Sequence, residues 1–259
     1  MRKGQTSIFI IFSLVILIGF GLVFYLNNQN KIKGETGQQI NSVNLIIPIK
    51  NYVNTCLRET GEDALQIIGL QGGFHKESEH KIFSKGFLTD FFHTIYLFKG
   101  ENVMPSKQTI EREISQYMDS NLENCIRDFE VFRKLGYEIK KGDVSTITLI
   151  AKNSVAINLN FPIMATIEQK TSSIEKFAVE IPSRLDMIYD LANYITQDQI
   201  THQDQICISC LIEIGESNNI YFELIPLEIN MTLIAIEDSQ IKLKNEPYTF
   251  VFAFNYSIS

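Results

Sequence analysis

Four cysteines, Cys56, Cys125, Cys207 and Cys210, offer most of the chemistry available to this chain of 259 residues. The last two form Cys207-Ile208-Ser209-Cys210, a C-x-x-C whose spacing suits a redox disulfide or half of a zinc site. Thioredoxin-type redox chemistry needs the first cysteine at a helix N-terminus, where the helix dipole stabilises a thiolate. The surrounding ICISCLIEI, Ile206 to Ile214, reads instead as a strand. A local structural disulfide at a bend, or two unpaired cysteines, is therefore the expectation. Zinc would want two further ligands, and His202 stands alone nearby.

The other candidates are weaker. His75 and His80 flank Lys76-Glu77-Ser78-Glu79, but H-x4-H does not align two ligands on one helix face, and a Gly72-Gly73 break precedes it. The segment reads as a solvated loop. His93, in Phe91-Phe92-His93, reads as a packed residue, with no serine or cysteine assignable to it as a nucleophile. Gly-x-Ser-x-Gly, Walker A and dinucleotide fingerprints are absent. No catalytic, cofactor-binding or metal-ligating residue is assigned, and neither a cofactor nor an enzymatic activity is expected. Asn230-Met231-Thr232 and Asn255-Tyr256-Ser257 match the N-glycosylation sequon, although Asn230 falls in a strand-like run.

Positioning these residues falls to an α+β domain. Apolar residues make up 45% of the chain and charged ones 20%, with 14 Gly and 6 Pro, which excludes disordered and collagenous classes. Pro48 opens a helical pattern in which Ile49, Tyr52, Val53, Cys56, Leu57, Ala64, Leu65 and Ile68 share a face, ended by Gly72-Gly73. Phe74 to Lys99 reads as a strand or a loop laid over the core. A second helix follows Pro105, with Ser106 or Thr109 as N-cap, a stripe running through Ile110, Ile114, Met118, Cys125 and Phe129, and Gly136 as its stop. Cys56 and Cys125 thus lie on the apolar faces of two helices. Packing of those faces brings a Cys56–Cys125 disulfide within reach, the alternative being two buried thiols.

From Tyr137 the period changes to two. Val144 to Ile150 and Val155 to Phe161 alternate around Asn153-Ser154 as a hairpin, and Phe177, Val179 and Ile181 give another strand. Ser183 and Asp186 resemble a capping box for a helix through Ile195. Strands are expected again over Ile206 to Ile214, Ile220 to Ile225, Ile229 to Ile236 and Tyr248 to Tyr256. The organisation expected is 1–7 leader, 8–26 membrane helix, 27–47 tether, 48–136 helical part and 137–259 mainly β part. The ectodomain should hold about three helices with antiparallel strands.

The membrane helix is Ile8 to Leu26, an uncharged run spanning about 28 Å at the α-helical rise, close to the thickness of a bilayer core. Arg2 and Lys3 precede it, which orients the N-terminus inside and the domain outside. The run ends without a small-x-small site, so ordinary signal-peptidase removal is not expected. The chain carries a net charge of −7, against a role in gripping nucleic acid.

Arg2-Lys3-Gly4-Gln5 directly ahead of an apolar helix resembles the class III signal peptide of archaeal type IV pilins and archaellins. That resemblance implies cleavage between Gly4 and Gln5 by a prepilin-type peptidase; an uncleaved signal anchor is the alternative. The sequence departs from bacterial pilins at Phe9, the fifth residue after the cut, where those proteins carry a glutamate. Together with YVNTCLRETGEDALQIIGLQGG, ISQYMDSNLENCIRDFE and the closing PYTFVFAF, the order of segments is similar to that of uncharacterised single-pass surface proteins of small-genome archaea. The expectation is a cell-surface protein, as a pilin-like filament subunit or as a solitary anchored binding or adhesion domain, with a thiol-disulfide redox protein third. Its expected partners are the lipid bilayer, copies of itself or other pilin-like subunits, and the processing peptidase.

Overall fold

Alternating side chains build the first of two sheets. In β5 (Ser145–Ala151) Thr146, Thr148 and Ile150 are buried while Ser145, Ile147 and Leu149 face solvent, and β6 (Ser154–Ile167) and β7 (Lys170–Pro182) alternate in the same sense. One buried face and one wet face is the pattern of an antiparallel sheet covered on one side. β6 is its long central strand: β7 pairs along one edge, with a register shift between Asn160 and Ile163, while β5 and β4 (Glu138–Lys141) share the other edge, β5 against Ser154–Asn160 and β4 against Ile163–Thr166. Glu168 and Gln169, both at positive φ, join β6 to β7 in the manner of a type I′ turn.

The computed structural model describes residues 45–85, 90–202, 206–228 and 230–256. Gly4, Gln5, the apolar run and most of the tether lie outside the described residues. Among those described, no helix is long and apolar enough to cross a membrane.

The second sheet runs β1 (Lys81–Lys85), β2 (Asp90–Phe98), β10 (Glu246–Asn255), β9 (Met231–Leu243), β8 (Ile220–Glu228), with the short β3 (Glu101–Asn102) also on β2. The expectation of antiparallel strands needs one amendment, because β10 pairs β2 in parallel and the sheet is mixed. Phe74 to Lys99, left open between strand and loop, supplies β1 and β2. In β10 Phe250, Phe252 and Phe254 enter the main core, whereas Val251 and Ala253 join a smaller cluster with Ile95, Leu233 and Ala235. That near-continuous apolar stretch is what a strand buried on both faces requires.

Helix α1, residues 45–70, connects the two sheets. A Cβ on Gly61 would lie 2.5 Å from the Ile181 side chain of β7, and one on Gly69 would lie 2.5 Å from the Thr249 carbonyl oxygen of β10. The helix is already running before Pro48. Gly72 and Gly73 end it in positive-φ geometry, with the Gly73 amide donating to Ile68 O.

The second helical expectation divides. α2 (Lys107–Ile126) starts at Ser106, whose hydroxyl accepts the Thr109 amide, and buries Ile110, Ile114, Met118, Leu122 and Ile126. It stops ten residues before Gly136, because Arg127, Asp128 and Phe129 all adopt positive φ. α3 (Glu130–Lys134) then completes the stripe with Phe132.

α4 (Leu185–Thr201) has Arg184, not Ser183, at its cap position. The Ser183 hydroxyl accepts the Leu185 amide, and Asp186 pairs with Lys107 Nζ at 2.5 Å, tying α4 to α2 instead of closing a capping box. The strand expected over Ile206 to Ile214 is a helix: α5 (Ile208–Asn218). Its isoleucines favour a strand by composition, but Leu211 and Gly215 form one inward face while Ile208 and Ile212 point to solvent. The described residues therefore hold more helix than the three segments expected.

Candidate functional site

The correction to α5 changes what Cys207 and Cys210 can do. Cys207 is the N-cap residue of α5, and its sulfur accepts the Cys210 amide at 3.3 Å. The Ser209 hydroxyl lies 3.6 Å from the same sulfur. The two cysteines are joined in a disulfide across a sequence separation of three. The strand that would keep Cys207 away from a helix N-terminus does not form. The missed signal was the helical spacing of Leu211 and Gly215 inside an apolar run too uniform to show its period.

A cavity of about 610 Å³ opens onto the disulfide, lined by Asp198, His202, Ile206, Cys207, Ile208, Ser209 and Cys210. His202 follows α4, and its Nδ1 lies 3.1 Å from Asp198 Oδ1. The backbone beneath it is fixed: the His202 amide donates to Asp198 O, and buried Gln199 donates from Nε2 to His202 O at 2.9 Å. His202, considered above only as a lone zinc ligand, thus shares a cavity with both cysteines. Among the described residues no group of three or more His, Cys, Asp or Glu could hold a metal ion.

Two features fix α5 in place. A Cβ on Gly215 would stand 2.7 Å from the Ile220 carbonyl oxygen, so glycine allows the helix to lie directly against β8. At its C-terminal end Asn219 adopts φ 54°, and the last carbonyls meet Arg184, whose Nη1 donates to Asn218 O at 2.8 Å. The same guanidinium donates to both carboxylate oxygens of Asp238, at 2.8 and 2.5 Å, and the Asp238 side chain is fully buried. One arginine therefore joins the start of α4, the end of α5 and the middle of β9.

The other disulfide has different surroundings. Cys56 of α1, buried, is bonded to Cys125 of α2, half-buried, with Cα atoms 5.6 Å apart. Beside it the Tyr52 hydroxyl donates to the carbonyls of Cys125 and Ile126 near the end of α2. The helix-packing expectation is met here, and all four cysteines are paired at disulfide-bonding distance.

The histidines of the 75–80 segment are not merely solvated. His75 is largely buried, with Nδ1 2.7 Å from Glu113 Oε2 of α2, and His80 stacks on Phe98 at 4.7 Å between centroids. Lys76, Glu77 and Glu79 between them are exposed, as a loop would have them. His93 is packed as expected; burial lowers its pKa, opposed by its hydrogen bond to Leu70 O at 2.7 Å.

Asn230 occupies the β8–β9 turn and Asn255 the end of β10, both half-buried, and Asn230 O accepts the Tyr256 amide. The two sequons therefore sit at one end of the same sheet. Ser257, the hydroxyl residue of the second, is outside the described residues. No protein family matches the chain, no curated protein is significantly similar to it, and no solved structure significantly matches its fold.

Proposed function

We propose that this chain is a single-pass, membrane-anchored cell-surface protein whose α+β domain lies outside the cell and acts by binding or assembly, as a pilin-like subunit of a surface filament. The observation that carries this reading is the placement of every cysteine at disulfide-bonding distance from another, in one long-range and one local pair. Disulfides persist in oxidising compartments, and here they follow an apolar run preceded by Arg2 and Lys3. The absence of a glutamate at Phe9 supports the second form of the reading, a solitary anchored binding or adhesion domain.

Intracellular proteins of hyperthermophiles are also disulfide-rich, so the deciding experiments address topology and processing. Protease added to intact cells is expected to degrade the chain beyond Asn27 while the first residues survive. Protection of the whole chain overturns the surface reading. N-terminal analysis of protein from its native membrane is expected to find Gln5 first, and Gly4→Val to block that processing. A mature N-terminus at Met1 removes the pilin form and leaves the solitary anchor.

A further inference from the structure

We propose that Cys207–Cys210 is a redox-active disulfide that accepts two electrons from a protein dithiol docked over the N-terminal end of α5. Three independent features support it. The sulfurs are reachable: both cysteines are half-buried and line an open cavity, whereas the other disulfide has Cys56 in the core and only Cys125 half-buried. The Cys207 sulfur already accepts a backbone N–H at the start of an eleven-residue helix, an arrangement that stabilises the Cys207 thiolate released when the mixed disulfide resolves. Finally, Ile208 and Ile212, four residues apart on one face of α5, are 60% and 57% exposed and offer an apolar strip for a partner chain. Neither side chain is needed by the core, which α5 meets through Leu211 and Gly215.

The exchange balances without a further reagent. A thiolate of the partner attacks Cys207 Sγ, a partner–Cys207 S–S bond forms, the Cys207–Cys210 bond breaks, and Cys210 leaves as a thiolate. The second thiolate of the partner then attacks the partner's first sulfur, so that the partner's own S–S bond forms, the partner–Cys207 bond breaks, and Cys207 leaves as a thiolate. The partner is oxidised from dithiol to disulfide, Cys207 and Cys210 are reduced to two thiols, and the two protons pass from the partner to these sulfurs. His202, in the same cavity and held by Asp198, takes the proton from the attacking thiol and passes it to Cys210. This activity does not depend on how the chain is anchored, so its failure leaves the surface reading standing, and the reverse is also true.

The test uses the full-length chain in detergent, with two probes: dithiothreitol and a short peptide dithiol with an apolar flank. Differential alkylation and mass mapping follow each disulfide separately. Cys207–Cys210 is expected to be reduced at least on the order of 100-fold faster than Cys56–Cys125, because exchange rate follows access to the attacked sulfur. Ile208→Glu and Ile212→Glu should slow exchange with the peptide and leave the dithiothreitol rate unchanged. Oxidised peptide should form a lasting mixed disulfide with Cys210→Ser through Cys207, and Cys207→Ser should not form one at a comparable rate. Equal reduction of the two disulfides, or trapping by Cys207→Ser and not by Cys210→Ser, overturns the proposal. Equal effects of the isoleucine variants on both probes overturn the docking strip.

Discussion

Cys56–Cys125 and Cys207–Cys210 are made of the same bond placed in opposite settings. The first ties two long helices across a sequence separation of 69 and begins in the core. The second spans a separation of three, at the accessible end of a helix that the rest of the molecule holds by its far side. In the chain-entropy account a cross-link of the first kind stabilises by about 4 kcal/mol and one of the second by under about 2 kcal/mol. A brace is long-range with one end in the core, whereas an exchangeable bond is local and open at both cysteines, with its sulfur beside a helix N-terminus.

The largest expected effect comes from removing the brace. Cys56→Ser should cost about 4 kcal/mol and lower the melting temperature by roughly 10 °C for a domain of this size. A loss as small as that from Cys207→Ser would erase the distinction. Next is Arg184→Ala, which strands the fully buried Asp238 carboxylate and should cost about 3 kcal/mol, read by denaturant midpoint. Because Arg184 also holds the end of α5, the same variant should alter the Cys207–Cys210 exchange rate while leaving that of Cys56–Cys125 close to its original value.

Cys207→Ser and Cys210→Ser should each cost under about 2 kcal/mol in thermal unfolding, the modest loss expected of a very short loop. The smallest effect concerns pH. Burial lowers the His93 pKa in the folded state, so the unfolded chain binds more protons between the folded pKa and the ordinary histidine value of about 6.5. Stability contributed by neutral His93 should therefore be lost as pH falls through that window. His93→Gln should flatten that part of the stability curve and leave both disulfide exchange rates unchanged.

How much could be read beforehand differs between the same two regions. Around Cys56 and Cys125 the apolar stripes are long and punctuated: Ser106 caps α2, Gly72 and Gly73 end α1, and polar residues fill the other faces. A 3.6-residue period is visible there, and with it the meeting of two cysteines. Around Cys207 and Cys210 the run ICISCLIEI is short and apolar on nearly every side, so helix and strand fit it equally and its isoleucines tip the choice to strand.

What settles α5 is tertiary: the contact of Gly215 with β8 and the grip of Arg184 on its last turn, both made by residues distant in sequence. The His75–Glu113 contact was hidden for the same reason, since α2 provides the carboxylate 38 residues further along the chain. The left-handed run at Arg127 to Phe129 has no glycine or proline to announce it. It is satisfied locally, with Arg133 Nε donating to Asp128 O at 2.9 Å.

Thiol mapping on intact cells tests the two-disulfide account and the outward-facing domain together. Cells are treated with a membrane-impermeant reductant under mild conditions, then with an impermeant alkylating reagent, and the protein is recovered and mapped. The account predicts alkylation at Cys207 and Cys210 with Cys56 and Cys125 still joined. Alkylation of all four cysteines together, or of none until the cells are broken, would contradict it.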